Sequence, residues 1–396
     1  MSISLQIVEL AKSYFSEMVE TRRYLHQHPE VSYKEFETTK YIKSELDKLG
    51  IDYESPLETG CVGILKGGIE SERVIALRAD IDALAMDELG DFKKDFCSQN
   101  IGAAHCCGHD AHTANLLGVA RILMQLKDQI EGTVLLIFQP GEEKLPGGGK
   151  LLCQTGFLQE RKVSAIYGLH TSPTHKPGTV ATKVGPIMGS PDEIEIEIIG
   201  KGGHAARAHE AIDPIVMAAQ FINAAQTVVS RSVDPTEPAV VTIGRIEGGS
   251  AHNIIPESVK LWGTVRTLSK ETADLIEQRL ESLLKGITEG YGGSYKYLFN
   301  KGYPAVTNSE NEALKVLENT RKLFGEEAAI EMERPIMAGE DFAFYQQHFP
   351  GAFFFVGSGS EDSDSTYVWH HPKYNVDDRF FETAAPLMAS LVFQDL

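Results

Sequence analysis

The sequence predicts an α/β protein: a mostly parallel sheet covered by helices on both faces, interrupted by an inserted α+β domain. Three observations predict it. Uninterrupted aliphatic stretches, such as Gly-Thr-Val-Leu-Leu-Ile-Phe at 132–138, alternate with helical patterns, and strands apolar on both sides belong to parallel sheets. Near Gly185-Pro186 the pattern changes to Glu-Ile-Glu-Ile-Glu-Ile at 193–198, the strict alternation of a half-exposed strand. From Pro304 the α/β character returns. The expected organisation is a discontinuous domain, 1–185 with 302–396, and an inserted domain at 186–301.

In chain order, residues 1–30 predict an amphipathic helix with Leu5, Val8, Phe15 and Val19 inward, and 35–49 a second helix closed by Gly50. Residues 73–84 begin as an apolar strand and end in Asp80 and Asp82. Asp110 is placed to cap a helix that runs to about residue 126. The 132–138 strand ends in Gln139-Pro-Gly-Glu-Glu143. A helix at 149–158 follows, then a strand at 163–169 that stops at His170. The insert predicts strands at 193–198, 239–246, 259–267 and 295–300 and helices at 214–230 and 269–288. That order is βαββαβ, a sheet with one covered face and one bare face that offers a subunit contact. A helix at 311–324, a strand at 352–356 and a last helix from 378 to the end complete the chain.

Composition bounds the function. The 396 residues are 42% hydrophobic and 23% charged, with a net charge of −19, and such an acidic surface disfavours nucleic acid and anionic membranes. Five cysteines (Cys61, Cys97, Cys106, Cys107 and Cys153), two of them adjacent, make a poor disulfide framework and point to a reducing compartment. No apolar run approaches the ~20 residues needed to span a bilayer, and the start carries no apolar core of signal-peptide type. A cytoplasmic location is expected.

Chemistry concentrates where strands end. Ligands of open α/β sheets collect outside the carboxyl ends of strands, and Asp80, Asp82, Glu142, Glu143 and His170 are all expected there. The turn Ala104-His-Cys-Cys-Gly-His-Asp110 borders the same rim. Its Cys107-x-His109 spacing aims a thiol and an imidazole into one small volume, a donor pair suited to zinc or a similar divalent ion.

Nine motifs carry a family resemblance over nearly the whole chain. Leu25-His-Gln-His-Pro-Glu30, Arg78-Ala-Asp-Ile-Asp-Ala-Leu84, His105-Cys-Cys-Gly-His-Asp110, Gln139-Pro-Gly-Glu-Glu143 and Gly168-Leu-His170 come first. Gly202-Gly-His204, Asn253-Ile-Ile-Pro256, Gly339-Glu-Asp-Phe342 and His370-His-Pro372 follow. In this order they resemble the two-metal amidohydrolases and metallopeptidases: aminoacylases, hippurate hydrolases, indole-acetyl-amino-acid hydrolases and N-acetyl-diaminopimelate deacetylases. The resemblance implies a zinc-peptidase-like catalytic domain and a ferredoxin-like insert that acts as lid and dimerisation domain. It implies two divalent metal ions per subunit, zinc or manganese with nickel or cobalt as alternatives, held by Cys107 as bridging thiolate with His109, Glu143, His170 and His370.

By the same resemblance Glu142 is the general base and Asp82 orients a ligand imidazole. His204 enters the partner subunit's site to stabilise an oxyanion, and Asn253 and Arg266 take the substrate carboxylate. Cys106 rivals Cys107 and His371 rivals His370; His105 and His112 are expected to be structural or to support the ligands rather than to bind metal, and His26 to be structural or on the surface. Gly141, Ala205, Ala208 and Trp369 stand where the family usually has Ala, Gly, Pro and Leu, which puts the pocket's shape in question. The expected reaction is hydrolysis of an N-acyl amino acid, in a homodimer or dimer-based tetramer. A carboxypeptidase or dipeptidase with the same chemistry, or a non-catalytic ligand-binding scaffold, are the alternatives. A zinc deaminase would carry Cys-x-x-Cys after His-x-Glu; His28-Pro-Glu30 has the second spacing, but no Cys-x-x-Cys occurs.

Overall fold

The computed structural model describes residues 1–394, which form two compact units. The first comprises Met1–Ile187, Thr307–Arg334 and the chain from Asp341; the second comprises Met188–Val306 and Pro335–Glu340. The short return at 335–340 has no apolar periodicity to announce it. It is held in the second unit by main-chain bonds from Gly189 N–H to the Ile336 and Ala338 carbonyls.

The first unit is built on an eight-stranded sheet. Its order is Asp52–Glu54, Cys61–Lys66, Glu131–Gln139, Ile69–Asp80, Ala165–Ser172, Gly351–Gly357, Val180–Thr182 and Ala329–Glu331. The four central strands are mutually parallel, while the outer ones add antiparallel pairs. Those central strands carry the continuous apolar runs, buried on both faces, although Ile69–Asp80 is polar and more exposed over its first half. The outer strands are three to six residues long, too short to register as period-two patterns.

Several helices differ from expectation for local reasons. The first breaks at Tyr14 into Ile3–Ser13 and Phe15–Gln27. The 149–158 helix is interrupted by Gly156 at φ 76, leaving Gly148–Gln154 and Phe157–Glu160. The final helix is Phe381–Ser390, preceded by a 3₁₀ turn at Asp378–Phe380; its expected last two residues, 395 and 396, lie outside the described residues. The His109–Gln125 helix is entered through Gly108 at φ 103, so Asp110 is not its cap. Instead the buried Asp110 carboxylate accepts from Arg22 Nε at 3.2 Å and pairs with His26 Nδ1 at 2.8 Å.

His26, expected as a structural or surface residue, is therefore the buried link of an ionic chain. Its Nε2 faces Glu88 at 2.9 Å, and Lys93 Nζ reaches the same carboxylate at 2.7 Å. Burial pushes the Glu88 carboxyl up, but His26, Lys93 and the Ser98 N–H outweigh it and hold it down to about 2. A depressed carboxylate contributes stability that is present above its unfolded value of about 4.3 and is lost as pH falls through the folded value. Glu88→Gln is therefore expected to lower the thermal midpoint at pH 7, with the gap from the parent protein closing between about pH 4.3 and 2. Midpoints of the two proteins across that range check this; a gap independent of pH would contradict it.

The second unit has a four-stranded antiparallel sheet, ordered Ala239–Gly248, Ser258–Thr267, Ser190–Ile199 and Ser294–Asn300. Helices Pro214–Ser232 and Lys270–Tyr291 cover one face, so Ile194, Ile196 and Ile198 are buried while Glu193, Glu195 and Glu197 point outward. The opposite face leaves Leu298 half exposed and Trp262 bonded to Glu195 across the strands. Among the described residues no helix is long and apolar enough to cross a membrane, and all five cysteines are free.

Candidate metal centre

The strand ends of the first unit deliver the acidic groups. The Ile69–Asp80 strand stops at Asp80, and Asp82 follows two residues on; both are fully buried. The neighbouring Glu131–Gln139 strand runs into Pro140-Gly141-Glu142-Glu143. His170 lies inside the Ala165–Ser172 strand rather than just past its end, because pairing with Gly351–Gly357 continues to Ser172. His109 opens the Gly108-capped helix, and His370 is held at φ 64, a left-handed conformation rare outside glycine.

These elements bring the five expected ligands together. Cys107 Sγ lies 3.4 Å from His170 Nε2, and His370 Nε2 lies 3.3 Å from Glu143 Oε1. His109 Nε2 is 3.9 Å from the same Glu143 oxygen. Donor atoms of Cys107, His109 and His170, of Cys107, Glu143 and His370, and of His109, Glu142 and Glu143 each lie within 4.8 Å of one another. The three groups share members, so they form one continuous cluster. The rivals point elsewhere: Cys106 Sγ contacts the Pro372 carbonyl, while His371 stacks on Tyr367 with its Nδ1 accepting from Lys373 N–H.

The surroundings orient the imidazoles. His109 Nδ1 faces the Asp82 carbonyl at 3.0 Å and its carboxylate at 3.3 Å, which turns Nε2 toward Glu143. His170 Nδ1 donates to the Thr171 carbonyl at 2.8 Å, leaving the Nε2 lone pair toward Cys107. Such partners on the far nitrogen fix the tautomer that a metal-binding histidine needs. His112 acts one layer out: its Nδ1 donates to Asp80 at 2.6 Å and its Nε2 accepts from Thr171 N–H at 2.9 Å, pinning the strand beside His170. Beneath them Arg78, fully buried, donates to Asp80, Asp341 and Gln139. Burial raises the Asp80 carboxyl, but Arg78, His109 and His112 overcome it and hold it well below the carboxylate range.

The residues present fit a pair of divalent cations. His109 Nε2 and Glu143 Oε1 are buried and make no hydrogen bond, an arrangement that is costly unless another partner is supplied. The site is also rich in negative charge. Burial, then Glu143, Glu142 and Asp80, push the Cys107 thiol well above its ordinary value. Burial works to neutralise His109, yet Asp80, Asp82 and Glu143 lift it to about 10. Cations at this point would satisfy the orphaned donors and keep the thiolate ionised.

The other three candidates belong to the second unit. His204 is exposed in a short antiparallel pair with Ile254, its Nδ1 accepting from Ala206 N–H at 3.1 Å. Asn253 is exposed next to it, its carbonyl accepting from Ala205 N–H. Arg266 is half buried, with Nη1 directed at Thr264, the Val265 carbonyl and the Asp192 carbonyl. Its guanidinium is committed to its own sheet rather than held open.

A family model described as peptidase family M20/M25/M40 matches residues 76–394. The chain belongs to that family. An M20 relative, N-acetylcysteine deacetylase of Bacillus subtilis, is 38% identical, covering 96% of this chain and 97% of its own. Thermostable carboxypeptidase 2 of Saccharolobus solfataricus is 35% identical, covering 98% and 99%. Among solved M20 structures, the YXEP protein of Bacillus subtilis, described as a dinuclear metal binding peptidase, superposes with a TM-score of 0.83 at 35% identity, covering 96% and 98%. The protein is thus an M20 hydrolase of the amidohydrolase and peptidase type. The expected fold, a mostly parallel sheet flanked by helices, is the one these neighbours share.

Proposed function

We propose that the protein hydrolyses the amide bond of N-acyl amino acids, N-acetyl ones included, using two divalent cations held by Cys107, His109, Glu143, His170 and His370. The observation that carries this reading is the single cluster of five donors, Cys107, His109 and His170 buried and His370 open to solvent, with the buried Glu142 beside it. The deacetylase relative supports the acyl class. When bound, the cations supply Lewis acidity, polarising the scissile carbonyl and making water a nucleophile near neutral pH.

The chain's own groups do the rest. Glu142 takes the proton of the attacking water and returns it to the leaving amine nitrogen as the C–N bond breaks. The water oxygen ends in the released carboxylic acid, and the amino acid leaves free. His204 of the partner subunit would donate to the carbonyl oxygen as charge develops there. Asn253 and Arg266 would take the substrate carboxylate, Arg266 after turning from its present partners. The thiolate favours zinc, while the carboxylate and imidazole donors also suit manganese, nickel or cobalt.

A homodimer follows from the His204 role. Mixing His204→Ala with Glu142→Ala subunits should restore part of the activity that each lacks; verified mixed dimers without activity would contradict the sharing. A second reading, carboxypeptidase or dipeptidase, is favoured by the Saccharolobus relative. The experiment is a substrate panel on zinc- and manganese-reconstituted protein: N-acetyl amino acids, N-acetyl-diaminopimelate, and unacylated dipeptides. Turnover of the acetylated series above the dipeptides is expected, and the reverse order would replace the first reading with the second.

A further inference from the structure

The loop that carries Glu142 and Glu143 is gripped from outside by a tetrapeptide, Ser32-Tyr33-Lys34-Glu35. Tyr33 Oη donates to the Lys144 carbonyl at 2.7 Å and accepts from Gly147 N–H at 3.0 Å. Glu35 Oε1 accepts from Gly141 N–H at 2.8 Å and from Tyr33 N–H at 2.9 Å, so one carboxylate oxygen ties loop to clamp. Its other oxygen accepts from Thr59 Oγ1 at 2.8 Å, and the residue is fully buried. Ser32 Oγ donates to Asp82 Oδ2 at 2.6 Å, and that same oxygen accepts from Glu143 N–H at 3.0 Å.

The loop is thus fixed at 141, 143, 144 and 147, on both sides of Glu142. The clamp is itself anchored, since Ala83 N–H donates to the Glu30 carbonyl and Val31 bridges Ala83. Tyr33 sits at φ 64, a strained conformation for a residue with a side chain. Its ring lies against Gly141, itself at φ 65, where an added Cβ would fall 2.3 Å from Tyr33 Cε1. Such strain persists only where surrounding bonds over-determine it, and it collects at sites where placement matters.

We propose that Tyr33 is a positioning residue for the Glu142 base, acting through the 141–147 loop with Glu35 as its anchor. This rests on the assignment of Glu142 as base. Burial pushes the Tyr33 phenol up to about 12, so the hydroxyl keeps its proton over the working range.

Tyr33→Phe keeps the ring on Gly141 and removes only the hydroxyl. On zinc-reconstituted protein with N-acetyl-L-cysteine, kcat should fall roughly tenfold, since displacing a reacting group by about 1 Å can cost a hundredfold. KM should stay within about twofold and bound metal at the parent level, because the Asp82 bond to Glu143 N–H is untouched. The same substitution made on Glu142→Gln should lower kcat by less than about twofold further, the non-additivity expected of two residues acting as one unit. An unchanged kcat, a loss of metal, or fully multiplicative effects in the double variant would each overturn the proposal. The two assignments fail separately: an active Glu142→Gln protein removes the base, whereas inactive Glu142→Gln with normal Tyr33→Phe removes only the clamp.

Discussion

Glu142→Gln is expected to reduce turnover by about 10²- to 10⁴-fold, the range over which a positioned general acid–base contributes. The amide keeps the size of the side chain but cannot receive a proton from water and pass it to an amine. The main chain should hold still, since Gly141 N–H remains on Glu35 and Glu143 N–H on Asp82. Metal content is therefore expected to match the parent protein by elemental analysis while kcat collapses. Undiminished turnover would remove Glu142 from the reaction; lost metal would make it a ligand instead.

The second large effect is expected at the thiol. Cys107→Ser should lower metal affinity by at least about a hundredfold, because loss even of groups that merely orient metal ligands costs 10- to 100-fold. A serine hydroxyl ionises far less readily than a thiol, and Glu142, Glu143 and Asp80 already crowd the position with negative charge. Activity should follow the metal and return partly at high metal concentration. Cys106→Ser is the control: that sulfur faces the Pro372 carbonyl, so metal content and turnover should persist. Equal losses in the two variants would mean that adjacency, not ligation, explains Cys107.

What the sequence made legible follows from which forces are local. The central strands are covered on both faces, apart from the first half of Ile69–Asp80, so their burial is written as aliphatic runs and needs no knowledge of neighbours. The five proposed ligands each sit in a short motif at the rim, which is why the sequence alone points to them. His170 is expected just past its strand but lies two residues inside the strand's end, because strand length depends on the partner Gly351–Gly357, which lies far along the chain. Asp110 looked like a cap, yet Arg22 and His26, more than eighty residues earlier, claim its carboxylate.

The clamp left no sequence signal at all. Ser32, Tyr33 and Glu35 form an ordinary polar turn until the fold brings Asp82, Gly141, Lys144 and Gly147 against them. Arg78 and Asp341 stand in two of the motifs, but their pairing across most of the chain is not written in either. Such contacts are recorded in topology rather than in spacing, so only the folded chain displays them.

Anomalous diffraction at the zinc edge, from crystals of the zinc-reconstituted protein, tests the central claim most directly. Two peaks should appear between Cys107, His109, Glu143, His170 and His370, with the Cys107 sulfur within bonding distance of both. A single peak, or peaks that leave Cys107 or His370 unbound, would contradict the two-cation site on which the hydrolytic chemistry depends.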